Sequence, residues 1–240
     1  MSIQFAFLVL ALSSTLLASD SGKDYVQISN TQKLEFPSGG TLRLDHSTGE
    51  VTIEGWDQPG VELTTTIQSL DSYLAADRDK EKKELERVKV DAKRSGNELV
   101  ITTTYPHHRA FPYIEPLSVV TNFYLEYRIK VPRTAKLFIQ HDDGEVHIDD
   151  ITGNVQAKAR QGLIALRVEA ENVPPMIDAK SYIGTVNSDF NGTEKWQRIH
   201  FGHTFTEGAS SAPQKLDLKI GYGDIVILKA HEPKEPPPAT

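Results

Sequence analysis

Two stretches of the chain, "FPSGGTLRLDHSTGEVTI" (residues 36–53) and "VPRTAKLFIQHDDGEVHI" (131–148), align without a gap at an offset of 95. Seven of the 18 positions are identical, and the pairs Phe36/Val131 and Leu44/Ile139 are conservative. The shared pattern is an apolar residue and proline, a short turn, Leu-x-Leu/Ile-x-His, two polar residues, and Gly-Glu-Val-x-Ile. Alternation with period two on both sides of a glycine predicts a strand with one buried face, a corner, and a second such strand. Three further stretches follow the pattern more loosely: "VQAKARQGLIAL" (155–166), "IDAKSYIGTVNS" (177–188) and "LDLKIGYGDIVI" (216–227). Gly144, Gly162 and Gly184 stand 18 and 22 residues apart. A strand that turns at glycine about every 20 residues predicts a β-solenoid in which each rung covers its neighbour. The glycines serve corners that need positive φ or close approach of one rung to the next.

Parity then sets the buried stripe: Leu42, Leu44, Val51, Ile53, Leu137, Ile139, Val146, Ile148, Val155, Ala157, Ile164, Leu166, Ile177, Val186, Leu216, Leu218, Ile225 and Ile227. It also divides "LFIQHDDGEVHIDD" (137–150), which at first sight is a reactive cluster of histidines and acids. His46 and His141 fall on the inward face, Asp142 and Asp143 in the turn, and Glu145, His147 and Asp149 outward. A metal needs its donors about 2.0–2.2 Å from one point, which opposite faces of a strand cannot supply. The aspartates align with Ser47 and Thr48, residues that bond local backbone in turns. His46 and His141 would meet as a pH-sensitive pair if their two units are neighbours.

Elsewhere the rhythm changes. "VELTTTIQS" (61–69) is a strand, and residues 71–88 form a helical insertion whose "AADRDKEKKELERV" carries i,i+4 pairs such as Asp79/Lys83 and Lys82/Glu86. "VKVDAKRSGNELVITTTY" (88–105) is a hairpin around Ser95, Gly96 and Asn97, and "TNFYLEYRIKVP" (121–132) is a strand. Residues 106–120 hold three prolines and no period, which marks a long loop. The proline-rich end, 230–240, has the composition of an extended tail.

The order "LRLDHSTGEVTIEGWD", "VKVDAKRSGNELVITTT", "YRIKVP", "GEVHIDDITGNVQAKARQG" and "SYIGTVNSDF" resembles the bacterial putative-adhesin family of unknown function. The resemblance covers roughly residues 25–229 and is best from Tyr127 to Phe190. It implies an exported protein with a toastrack-type β-solenoid, and brings no catalytic motif.

The first 19 residues carry no charged side chain, and Phe5 to Ala18 is mostly apolar. This matches a secretory signal cleaved after Ala18 or Ser19, with retention as an N-terminal anchor as the alternative. The protein is therefore expected outside the cytoplasm: periplasmic, cell-surface or secreted. The remainder, 25–229, reads as one all-β, mostly parallel solenoid domain with an N-terminal strand-and-hairpin part and one short helical insertion. The chain has 33 Asp and Glu against 26 Lys and Arg, a net charge of -7, which argues against nucleic acid. Without cysteine, disulfides and thiolate chemistry are excluded.

No catalytic residue, metal or cofactor is assigned. The candidate recognition surface is the loop with Tyr105, His107, His108, Phe111 and Tyr113, since binding concentrates on long loops of rigid scaffolds. Trp56 and Trp196 are candidate sugar platforms, weighed against tryptophans that merely cover core. The leading function is a non-enzymatic adhesin-like module that contacts an envelope protein or a glycan. A carbohydrate-active β-helix enzyme is the first alternative and would need outward carboxylates on neighbouring rungs, for which Glu50, Glu145, Asp149 and Asp224 are available. An envelope-stress sensor or structural component is the second, favoured by an uncleaved anchor.

Overall fold

The computed structural model describes residues 23–104, 123–169, 173–197 and 201–230. These form one large mixed sheet and one short helix. The strands are β1 (Lys23–Leu34), β2 (Thr41–Trp56), β3 (Val61–Leu74), β4 (Lys89–Ser95), β5 (Glu98–Thr104), β6 (Phe123–Pro132) and β7 (Lys136–Asp149). They continue as β8 (Val155–Val168), β9 (Met176–Ile183), β10 (Val186–Ser188), β11 (Thr193–Gln197), β12 (Gly202–Glu207) and β13 (Lys215–Lys229). The helix α1 spans Ala75–Leu85, inside the predicted insertion, and anchors itself through the buried Leu85.

The long strands β2, β7, β8 and β13 each run through a glycine corner, and inward positions change parity there. In β7 they are Leu137, Ile139 and His141 before Gly144, then Val146 and Ile148 after it. A chain that turns while switching parity keeps both halves of the strand against one core. In-register pairing then stacks like on like: Leu42, Leu137, Val155, Leu216 and Ile177 form one column, and Val51, Val146, Ile164, Ile225 and Val186 another. Every residue of the predicted stripe is buried and joins a single hydrophobic cluster.

The corner glycines form a ladder of their own. Gly49, Gly144, Gly162, Gly223 and Gly184 all have φ between +90° and +139°. A Cβ on Gly144 would lie 2.0 Å from the Gly49 carbonyl oxygen, one on Gly162 1.8 Å from that of Gly144, and so on along the ladder. Corners therefore stack as close as backbone permits, which only glycine allows.

Two expectations need correction. The sheet is mixed: its parallel centre, β6-β2-β7-β8-β13-β9, is flanked by antiparallel β1-β3-β6 on one side and β9-β12-β11 on the other. The hairpin expected over 88–105 is β4-β5, which joins β2 off this path; neither antiparallel wing was expected. Strand order in the sheet also departs from chain order, because β13 inserts between β8 and β9. Its inward residues Leu216, Leu218, Ile225 and Ile227 match both neighbours, and local pattern cannot fix which strand comes between.

Where the parallel centre meets the first wing, the Tyr127 hydroxyl and the Thr103 Oγ1 share a 2.6 Å hydrogen bond inside the core. Tyr127→Phe is expected to destabilise by about 1–2 kcal/mol in urea unfolding, since the Thr103 hydroxyl loses this partner.

Candidate functional site

The inward face at the corner carries a column in which polar side chains interrupt the apolar core. Ser47, His141, Ala159, Ile220 and Ser181 are in register, and His203 follows across the antiparallel pair β9-β12. All six are buried. His141 is inward as predicted, with Nδ1 2.8 Å from the Ser47 hydroxyl. Burial, only partly opposed by the Asp143 charge and by the Asp143 and Gly49 backbone, lowers its pKa to about 4. His46 is not inward. The pairing of β2 with β7 slips between Leu44 and Ser47, so β2 spends an extra residue at its corner. His46 takes φ +57° and points outward, 3.9 Å from the Asp142 carboxylate, while Ser47 occupies the inward place. The two imidazoles therefore form no pair; the partner of His141 here is a serine.

The rest of "LFIQHDDGEVHIDD" disperses. The Asp143 carbonyl accepts from the Thr48 hydroxyl, His147 Nε2 lies 2.9 Å from Glu145, and Asp149 faces Arg167 at 3.7 Å. Among the described residues no group of three His, Asp or Glu side chains is disposed to hold a metal.

Of the four outward carboxylates, two come together. Glu50 and Glu145 are register partners on β2 and β7, and Glu126 of β6 pairs with Glu50 on its other side. The Tyr124 hydroxyl donates to Glu50 at 2.5 Å. Its pKa is raised, first by burial, then by that hydrogen bond and by the charges of Glu50, Glu126 and Glu145. Like charges abreast on one face are mutually destabilising, and Tyr124, Arg128 and His147 each engage one of the three. Asp224 instead accepts from the backbone and hydroxyl of Thr185, at 2.8 and 2.7 Å, bracing the corner at Gly184.

Tyr105, His107, His108, Phe111 and Tyr113 lie outside the described residues, as do the N-terminal segment and the C-terminal tail from residue 231 onward. Trp56 is half-buried, and its indole N–H donates to the Gly60 carbonyl at 3.2 Å, closing the turn between β2 and β3. Its ring borders an open depression of about 370 Å³ with Pro59, Pro132 and Arg133.

An aromatic surface gathers instead at the β9-β12-β11 end of the sheet. Trp196 is 63 % exposed and stacks on buried His203, with ring centroids 4.2 Å apart and planes 9° from parallel. The Val186 N–H donates to His203 Nδ1 at 2.9 Å, and the Glu194 carboxylate lies 3.6 Å from Nε2. Phe201 is 79 % exposed at φ +51°, and its carbonyl meets the Gly184 N–H at 3.4 Å. Exposed Tyr182, Ile183 and Tyr222 lie at the same corner, the last two as register partners, with the Lys180 ammonium 4.2 Å from the Tyr182 ring centre. The tryptophan was legible as a candidate platform; the histidine beneath it was not, because nothing local announces the β11-β12 hairpin.

No protein-family model matches the chain. No curated protein matches it either. Among solved structures, the chain is similar to a putative cell adhesion protein from Clostridium sporogenes at 12 % identity and a TM-score of 0.44, over 85 % of this chain and 100 % of that one. A putative adhesin from Parabacteroides merdae aligns at 8 % identity and a TM-score of 0.26, over 84 % and 78 %. A putative lipid binding protein from Parabacteroides distasonis aligns at 9 % identity and a TM-score of 0.24, over 86 % and 97 %. The structural neighbours are thus mainly putative adhesins and cell adhesion proteins of Clostridium and Bacteroidetes. No helix among the described residues is long and apolar enough to cross a membrane.

Proposed function

We propose that the protein is a non-enzymatic, adhesin-like binding module that works outside the cytoplasm, contacting an envelope protein or a glycan from a short β-solenoid scaffold. The observation that carries this reading is the aromatic end, where Trp196 lies flat on His203 with most of its ring in water and large side chains are exposed at the nearby Gly184 corner. Exposed apolar clusters on soluble domains mark interaction sites, and this one is held by paired strands and a stacked ring. The charge-free, apolar start of the chain supports export. The test is sedimentation with washed bacterial envelopes while reducing ends are assayed. Saturable pelleting with no sugar release is the expected result; a protein that stays in the supernatant overturns the reading.

A second reading is favoured by one observation, the in-register row Glu126, Glu50 and Glu145 beside Tyr124 and His147. Paired carboxylates are the equipment of glycoside cleavage. If the row is catalytic, polysaccharide incubated with the protein gains reducing ends, and Glu145→Gln abolishes the gain. Under the first reading neither change occurs.

A further inference from the structure

We propose that the aromatic end is a saccharide platform, in which the open face of Trp196 stacks on the pyranose rings of a neutral, β-linked glycan. The inference rests on the binding-module reading and names its ligand class. The inward layer runs from Ser181 to His203 to Trp196 by register, and among the described residues no strand follows β11. One face of the indole is covered by an imidazole that is itself 3 % exposed and held by the Val186 N–H. The other face is the end of the column. A ring fixed in this way loses almost no freedom when something settles on it.

The size and chemistry of the surface select the occupant. Aromatic side chains offer about 150–250 Å² each when fully exposed, and Trp196 and Phe201 are 63 % and 79 % exposed. Together they present roughly 300 Å², far short of the ~800 Å² per partner of a stable protein interface. A small, flat, amphipathic ligand fits better. Equatorially substituted pyranoses expose a face of C–H groups, slightly positive, to which the electron-rich indole face is complementary. Their hydroxyls need hydrogen-bond partners, and the exposed Glu194 carboxylate, two residues from Trp196 on the same face of β11 and 3.6 Å from His203 Nε2, supplies acceptors at the rim. A net charge of -7 disfavours polyanionic chains. Phe201 holds a left-handed backbone and an exposed ring at once, two costs that folding alone does not repay and that cluster at ligand clamps.

The chain has two tryptophans, so Trp56→Phe leaves Trp196 as the sole indole emitter. Titrating this full-length variant with triacetylchitotriose and with cellotriose is expected to change its emission saturably for at least one of them. In isothermal titration on the otherwise native chain, Trp196→Ala is expected to weaken that binding at least tenfold. Phe201→Ala, at an exposed position that leaves folding intact, weakens it severalfold. No saturable change up to about 10 mM of either sugar, or affinities unaltered by both substitutions, overturns the proposal. An emission change produced only by choline, or only by raising the protein's own concentration, overturns it in favour of a cationic ligand or a second copy. Envelope sedimentation separates the two levels: pelleting that survives Trp196→Ala keeps the binding-module reading and removes this site from it.

Discussion

Gly162→Ala is expected to cost more than about 4 kcal/mol and to leave much of the chain unfolded at 25 °C. Gly162 sits at φ +118°, where an L side chain is strained wherever it points. Its added Cβ would also lie 1.8 Å from the carbonyl oxygen and 2.7 Å from the carbonyl carbon of Gly144. Both are backbone atoms of a strand paired on each side, so relief means displacing β7 from β8 and breaking the register that stacks the core columns. Gly96→Ala is the control. It too has positive φ, +58°, but nothing lies within 4 Å of its Cβ, so it bears only the left-handed cost of roughly 1–2 kcal/mol. Urea midpoints of the two variants measure the difference. Equal midpoints would mean that close approach at the corner contributes nothing beyond backbone conformation.

That ladder is the part of the fold most openly written in the sequence. The match at offset 95 is the register itself: Leu42 pairs with Leu137, Gly49 with Gly144 and Ile53 with Ile148. It was legible because in-register parallel stacking repeats the same inward and outward requirements at every layer. What escaped has physical reasons. His46 was misplaced because a bulge adds one residue, and period two then inverts every inference made beyond it until the next correction. The insertion of β13 between β8 and β9 was hidden because neighbours with equivalent inward residues are interchangeable to any local rule. Strand β1, "KDYVQISNTQKL", buries only Val26 fully and its other residues are mostly polar, so it has little alternation to detect. At the candidate site, Trp196 could be singled out by residue type. Its stacking on His203 depends on a pairing across a hairpin that no turn motif signals.

Native stability is expected to fall by roughly 3 kcal/mol between pH 7 and pH 4 through His141 alone, the value that a pKa lowered from 6.5 to about 4 implies. In the unfolded chain the imidazole binds its proton near pH 6.5; in the fold, burial beside Ile139 and Ala159 denies it until about pH 4. The unfolded state therefore holds more protons throughout that window. Stability is complete above about pH 6.5, declines as pH falls toward 4, and loses nothing further from this group below that. Ser47 does not offset the loss, since its hydroxyl can serve a neutral imidazole nitrogen as well as a charged one. Carboxylates titrate over part of the same range, so the quantity to measure is the difference between the native protein and His141→Gln. Glutamine keeps a polar group for Ser47 but has no proton to gain, and its urea-derived stability should decline by about 3 kcal/mol less between pH 7 and 4. A His141→Gln variant as acid-sensitive as the native protein would show that the imidazole takes up its proton as readily in the fold as in the unfolded chain, and that the Ser47–His141 contact is not the neutral pair its burial requires.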